Sequence, residues 1–376
     1  MRGTATAGAI VLAAAILIPA SPAMADSIRN DQWYLKSLRI SDAHAISKGS
    51  GETVAVIDTG SFAHTDLRQN LLEGVSFVSG ESSDGRTDRS GHGTNMAALV
   101  AAHGRGNDGI LGIAPGAKVL PVKISNSADK APPKEMAKGI EWALAKNARI
   151  INVSAGIGPS FDLQDAVARA MGADAVVVAS IGNAGQDAIV GYPAAIEGVL
   201  AVGSVGPDGK HSALSVNTPK VQICAPGVEI TTAEPKNKYV NVGGTSPAAA
   251  IASGAAALVR SRYPKLSAEE VIHRLTATAD DIGPPGRDDE CGFGRLNIVK
   301  ALTADVPPLE GETSAPSAAT TAPVTVGPTA SAAGAVVEEA EPASASRGLL
   351  YAGVAAVVVV AAALVFFVGR RRRGAR

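Results

Sequence analysis

Three polar residues, each set among glycines, have the chemistry needed for nucleophilic acyl transfer. Asp58 follows the apolar run Val54-Ala-Val-Ile57 and precedes Thr59-Gly60, His92 stands in Ser90-Gly-His-Gly-Thr94, and Ser246 stands in Gly243-Gly-Thr-Ser-Pro247. Taken singly, each has an ordinary structural explanation. An Asp at a strand end caps a helix or forms a turn, a lone His is ambiguous, and a Ser ahead of a helix is a common N-cap. Together they supply what attack on a carbonyl requires: a hydroxyl nucleophile, an imidazole to take its proton, and a carboxylate to hold the imidazole tautomer.

Regular elements must hold these residues in place. Val54–Ile57, Lys118–Ile124, Ile150–Val153, Ala175–Ala179 and Val199–Val202 read as short buried strands, while Gly93–Ala102, Pro133–Lys146, Asp162–Met171 and Ser246–Tyr263 have helical spacing. The alternation predicts an α/β fold, a mainly parallel sheet with helices on both faces. Ligands in such folds gather beyond the carboxyl ends of the strands, which is where Asp58 falls. No internal repeat is present.

Composition limits the alternatives. Lys and Arg total 34 against 35 Asp and Glu, a formal net charge of -1, and 46% of residues are hydrophobic. This excludes a basic nucleic-acid binder and a collagen-like or wholly disordered polymer. Two cysteines, Cys224 and Cys291, are too few for a disulfide-dense scaffold or a four-thiolate metal centre.

The charge balance hides an asymmetry, because residues 1–25 and 347–376 hold arginines and no acid, leaving residues 26–346 acidic. Residues 1–25, with Arg2, an apolar run from Ala9 to Ile18 and small residues up to Ala25, have the layout of a signal peptide. An uncleaved anchor is the alternative. Residues 347–368, uncharged from Leu349 to Val368, read as a single C-terminal transmembrane helix, with the arginine-rich residues 369–376 as a cytoplasmic tail. Residues 305–346, rich in Pro, Ala, Ser and Thr and without an aromatic, read as a disordered tether. The folded domain is then residues 26–304, held outside the cytoplasm on a single-pass membrane protein. In that oxidising setting Cys224 and Cys291, each before a glycine-containing turn that would set it near the domain surface, are expected to form a disulfide. Two reduced, buried thiols are the alternative.

These residues resemble the subtilisin-like serine proteases. Val54-Ala-Val-Ile-Asp-Thr-Gly60, His92-Gly-Thr94 and Gly244-Thr-Ser246 are similar to that family's motifs, in its Asp, His, Ser order, and the similarity extends over about Gln32 to Leu302. The resemblance implies a serine endopeptidase that acts on polypeptides without a cofactor. Ser246 would attack, His92 would move the proton and Asp58 would stabilise the imidazolium. Val178-Ala-Ser-Ile-Gly-Asn-Ala-Gly185 is similar to the family's oxyanion segment, implying that Asn183 and the Ser246 backbone N–H meet the charge developing on the carbonyl oxygen. Ile150-Ile-Asn-Val-Ser-Ala-Gly156 and Gly191-Tyr-Pro193 resemble substrate-binding segments, implying, with Gly182 of the oxyanion segment, contacts at Ser154, Ala155, Gly156, Gly182 and Gly191 and a cis Tyr192–Pro193 bond. The chain departs from the family pattern at Pro247, which reads as the first helical residue after the nucleophile, and at Ala250, where the family usually has proline. Asp66 and Asn107-Asp-Gly109 resemble a family calcium region but read as solvated loop residues, and no metal is expected.

Cleavage near Ala25 leaves too short a stretch before Asp58 for a folded inhibitory pro-segment, so Asp26–Leu35 and a helical Ile40–Ile46 are expected to pack along the body. With its tether, span and arginine tail, the layout resembles the mycosins, the membrane-anchored subtilases of actinobacterial type VII secretion. That resemblance implies the cytoplasmic membrane and a type VII secretion membrane complex as partners, and no nucleic acid. Two other readings stay open: a general surface subtilase for protein turnover, and a scaffold component of the secretion complex with dispensable or impaired catalysis.

Overall fold

The computed structural model describes residues 27–185 and 190–309. The expected signal peptide, most of the tether, the transmembrane helix and the basic tail lie outside the described residues. In chain order the strands are β1 (Thr53–Asp58), β2 (Val75–Ser76), β3 (His103–Arg105), β4 (Asp108–Leu111), β5 (Lys118–Lys123), β6 (Ile150–Val153), β7 (Val176–Ser180), β8 (Leu200–Val205), β9 (Ile223–Pro226), β10 (Ile230–Glu234) and β11 (Lys238–Val242). The helices are α1 (Ser27–Asn30), α2 (Trp33–Ser37), α3 (Ile40–Ile46), α4 (His92–Ala101), α5 (Pro133–Ala145), α6 (Phe161–Gly172), α7 (Thr245–Arg262), α8 (Ala268–Ala277) and α9 (Ile298–Thr303). No helix among the described residues is long and apolar enough to cross a membrane.

One sheet runs in the order β2-β5-β1-β6-β7-β8-β9, and every neighbouring pair in it is parallel. Side chains alternate across a strand, so each apolar run serves two cores. Val54 and Val56 of β1 pack with α4 and α7 on one face, whereas Ala55 and Ile57 pack with α5 and α6 on the other. The α/β sandwich expected from the alternation of strand and helix is present.

Helix α7 lies at the centre of the first layer, buried from Pro247 through Arg260. A helix enclosed on all sides must be apolar around its circumference, and this one manages a close approach to the sheet through alanines at 248, 249, 250, 252, 255, 256 and 257. It begins at Thr245, so Pro247 is its third residue and not its first. Proline at this place is harmless to the helix, because N–H groups of the first turn have no intrahelical acceptor for proline to remove.

Strand β9 was not apparent from composition, since Pro226 ends it and polar residues precede it. It forms an edge of the sheet, where proline costs no ladder bond on the open side. Cys224 in β9 is joined to Cys291 by a disulfide with the Cα atoms 5.0 Å apart. Both residues are buried and not near the surface as expected, because the returning chain lies on β9. Cys224 N–H donates to the Gly294 carbonyl at 2.9 Å, and Leu296 N–H donates to the Cys224 carbonyl at 2.8 Å.

The described part of the N-terminal stretch packs along the body. Arg29 Nε donates to the Gly109 carbonyl at 2.9 Å, Trp33 Nε1 to the Val228 carbonyl at 3.1 Å, and the buried Tyr34 hydroxyl to the Thr231 carbonyl at 3.1 Å. The strap therefore ties β4 to β10. Burial pushes the Tyr34 phenol pKa well up, so it stays a neutral donor. Tyr34→Ala removes a buried ring and a buried hydrogen bond. It is expected to lower the unfolding free energy by about 3–5 kcal/mol, read from urea denaturation; a loss below about 1 kcal/mol would show that the strap is peripheral to the core.

Candidate active site

Parallel strands β1, β6 and β7 are neighbours, and their carboxyl ends open on one side of the sheet. There β1 ends in Asp58, β6 leads into Ser154-Ala-Gly156, and β7 leads into Gly182-Asn183. The N-termini of α4 and α7 arrive at the same place and deliver His92 and Ser246. A cavity of about 590 Å³ is lined by His92, Ser154, Ala155, Gly156, Gly182, Asn183 and Ser246, together with Asn95, Met96 and Asp129.

His92 Nδ1 stands 2.8 and 2.9 Å from the two carboxylate oxygens of Asp58. A carboxylate only accepts, so Nδ1 donates and Nε2 is the basic nitrogen. Burial acts against the imidazolium, but the charge and hydrogen bond of Asp58, with smaller contributions from Asp88 and Asp129, outweigh it and raise the His92 pKa.

The approach of α4 to β1 needs small residues. A Cβ on Gly93 would run into the Gly60 carbonyl oxygen, so only glycine lets the helix start this close to the strand end. Asp88, a residue not singled out from the sequence, then ties the two together. Its carboxylate accepts from Gly91 N at 2.9 Å, from Thr94 N at 2.9 Å, from Thr94 Oγ1 at 2.7 Å and from Thr59 Oγ1 at 2.9 Å. Thr59 Oγ1 in turn accepts from Gly93 N at 3.0 Å, and Thr59 N donates to Asp58 at 2.7 Å. Asp88 thus does for α4 what an N-cap does, and fixes the residue after Asp58 against the residues around His92. The signal in the sequence is an Asp four positions ahead of the His at a glycine-rich helix start, where N–H groups need an acceptor.

Ser246 is the second residue of α7. Its Oγ donates to the Ser154 carbonyl at 3.2 Å, while Ser154 Oγ donates to the Ser246 carbonyl at 3.2 Å. Its hydroxyl makes no hydrogen bond to His92 in this arrangement; such bonds commonly tighten only when substrate is bound. Beneath lies a buried polar ladder in which Asn152 Nδ2 donates to Ser154 Oγ at 3.1 Å and Ser253 Oγ donates to Asn152 Oδ1 at 3.0 Å. Asn183 Oδ1 accepts from Thr245 N at 2.9 Å and from Thr245 Oγ1 at 3.2 Å. A backbone N–H can only donate, which makes the contacting atom the amide oxygen and leaves the amide nitrogen as the donor. Gly244, at φ 127°, allows this, since a Cβ there would stand 2.9 Å from Asn183 Oδ1.

Gly191 is the one proposed substrate contact that does not line the cavity. It backs Gly156, and the adjoining Ile157 and Tyr192 exchange backbone hydrogen bonds at 3.1 and 2.8 Å. The Tyr192–Pro193 peptide is cis, the isomer expected of that segment. Asp66 is not a solvated loop residue. It is fully buried, and its carboxylate accepts from Arg105 Nε, Ile110 N and Tyr239 OH, each at 2.9 Å. Asn107-Asp-Gly109 forms the turn and start of the β3–β4 hairpin, and no cluster of three potential His, Cys, Asp or Glu metal ligands exists among the described residues.

A subtilisin-like α/β sheet with this site defines a serine endopeptidase. The chain belongs to the subtilase family, whose pattern matches residues 49–294. It is 41% identical to subtilisin DY of Bacillus licheniformis over 242 residues, 63% of this chain and 86% of that protein. Among solved structures, MycP1 from Mycobacterium smegmatis superposes with a TM-score of 0.66 at 30% identity, covering 77% of this chain and 89% of that one. MycP3 protease from the type VII (ESX-3) secretion system superposes with a TM-score of 0.63 at 31% identity, covering 77% and 91%. The chain is therefore both subtilisin-like and similar in structure to mycosins.

Removal of the Asp88 carboxylate frees α4 from β1. Asp88→Ala is expected to lower kcat/KM by about 10–100-fold through kcat, since small misplacements of a catalytic base are costly. Asp88→Asn, which keeps one oxygen acceptor, is expected to lose less. An Asp88→Ala enzyme with unchanged kcat would show that His92 is positioned without it.

Proposed function

We propose that this chain is a membrane-anchored, extracytoplasmic endopeptidase of the mycosin kind, with Asp58, His92 and Ser246 as its triad. The observation that carries the chemistry is the Asp58–His92 pair opening onto the same cavity as Ser246 at the start of α7. In this reading Ser246 Oγ attacks a peptide carbonyl and His92 Nε2 takes its proton, later giving it to the leaving amine, while Asp58 stabilises the imidazolium. The oxyanion is met by the amide of Asn183 and the N–H of Ser246, in the first turn of α7 where the helix N-terminus adds positive potential. Ser154, Ala155, Gly156 and Gly182 hold the substrate backbone, and Gly191 supports Gly156 from behind.

The wider layout follows the sequence: a signal peptide over residues 1–25, the peptidase domain over 26–304, a tether over 305–346, a span over 347–368 and a cytoplasmic tail over 369–376. MycP3, a protease from a type VII secretion system, is among the structures this domain resembles, which supports attachment to such a membrane complex. Capture of the full chain from detergent-solubilised membranes tests that attachment: secretion-complex proteins should accompany it, and a chain recovered alone favours a free surface protease. Loss of secretion in a Ser246→Ala strain would place the need in the chemistry, whereas full complementation would place it in the scaffold.

Two kinetic outcomes are expected of the chemistry. Ser246→Ala, His92→Ala and the double variant should fall to a common low kcat/KM, because parts of one proton-transfer unit do not act additively; additive losses contradict the triad. His92 must be neutral to accept a proton and its pKa is raised, so activity is present at high pH and lost as pH falls through that value. The acid limb of kcat/KM should lie above the ordinary histidine value of 6.5. A limb below it contradicts the assigned base.

A further inference from the structure

Asp129 is the only carboxylate among the described residues that line the catalytic cavity. It lies in the loop that leaves β5, on the solvent-exposed wall of the cavity. Aspartates in loops usually bind local backbone N–H groups or a nearby cation. Others in this chain do so: Asp84 with Arg86, Asp88 with Thr94, Asp280 with Lys300. Among the described residues the Asp129 carboxylate accepts no hydrogen bond and joins no ion pair, and its neighbour Lys130 does not line the cavity. Apart from His92, the remaining lining side chains are uncharged. A polypeptide lying across Ser246 therefore meets one fixed negative charge, close enough to be felt at His92.

We infer that Asp129 is a specificity residue that makes this cavity select polypeptides with a Lys or Arg beside the scissile bond. The inference rests on the endopeptidase reading above and names its substrate class. A cationic side chain would find at Asp129 a carboxylate with no competing partner, in a cleft from which bound substrate displaces water, whereas an acidic side chain there would be repelled. Discrimination of this kind comes as much from the repelled partner as from the attracted one.

The test uses the purified full chain and fluorogenic peptides that differ only by Lys, Gln or Glu at each position flanking the cleaved bond. At one of these positions the wild-type enzyme should prefer Lys over Gln in kcat/KM by about five- to tenfold and disfavour Glu, with the preference shrinking at high salt. Asp129→Asn should bring the Lys to Gln ratio to about one, and Asp129→Lys should favour Glu; reading ratios cancels any general loss of activity. A wild-type enzyme indifferent to charge at every position, or a preference for Lys that survives Asp129→Asn, overturns the inference while leaving the endopeptidase standing. A folded chain that cleaves none of the peptides overturns the endopeptidase reading and this inference with it.

Discussion

Everything at the active site depends on burying α7 against the sheet with its first turn stopping at the cavity. The helix is enclosed over nearly its whole length, so it has no freedom to slide or roll without opening voids in a close-packed layer. Its alanines set the distance to the strands. Its height is set by polar contacts: Ser253 on Asn152, and Ser246 exchanging hydrogen bonds with Ser154 at the end of β6. A buried polar ladder is stabilising only when fully satisfied, and here its members pair with one another. The outcome is a hydroxyl held in the first turn of a helix at the cavity wall, where the helix N-terminus adds positive potential.

The second half of the site is built by bringing a helix start up to a strand end. Gly93 permits the contact and Asp88 secures it, so that Asp58 and His92, 34 residues apart in sequence, meet at 2.8 Å. The carboxylate that orients the imidazole also stabilises its charged form more than burial opposes it. Such an imidazole is a better proton acceptor once neutral, at the cost of activity at low pH.

The sheet and its two helical layers were legible because buried parallel strands are continuous apolar runs, as in Val54–Ile57 and Val176–Val178. The edge strand β9 was not, since Pro226 and the polar residues before it look like a loop until the disulfide and the returning chain at Gly294 and Leu296 are in place. Asp58, His92 and Ser246 could be picked out from residue type and glycine context. Thr245 could not, because its partner Asn183 lies far away in sequence; Asp88 carries a local signal, an acceptor just ahead of a glycine-rich helix start, but not its bond to Thr59. Asp66 shows the same limit from the other side: a loop aspartate by composition, it is buried because Arg105 and Tyr239 fold over it. Long-range partners decide the role of a polar residue, and sequence spacing does not contain them.

The claim on which these parts converge is that Ser246 is an activated nucleophile served by His92. Treatment of the purified, folded full chain with a fluorophosphonate, followed by mass spectrometric location of the adduct, tests it without any knowledge of the natural substrate. A single adduct on Ser246, absent from the His92→Ala chain, is the predicted result. A folded chain that remains unlabelled, or one labelled at another residue, contradicts it.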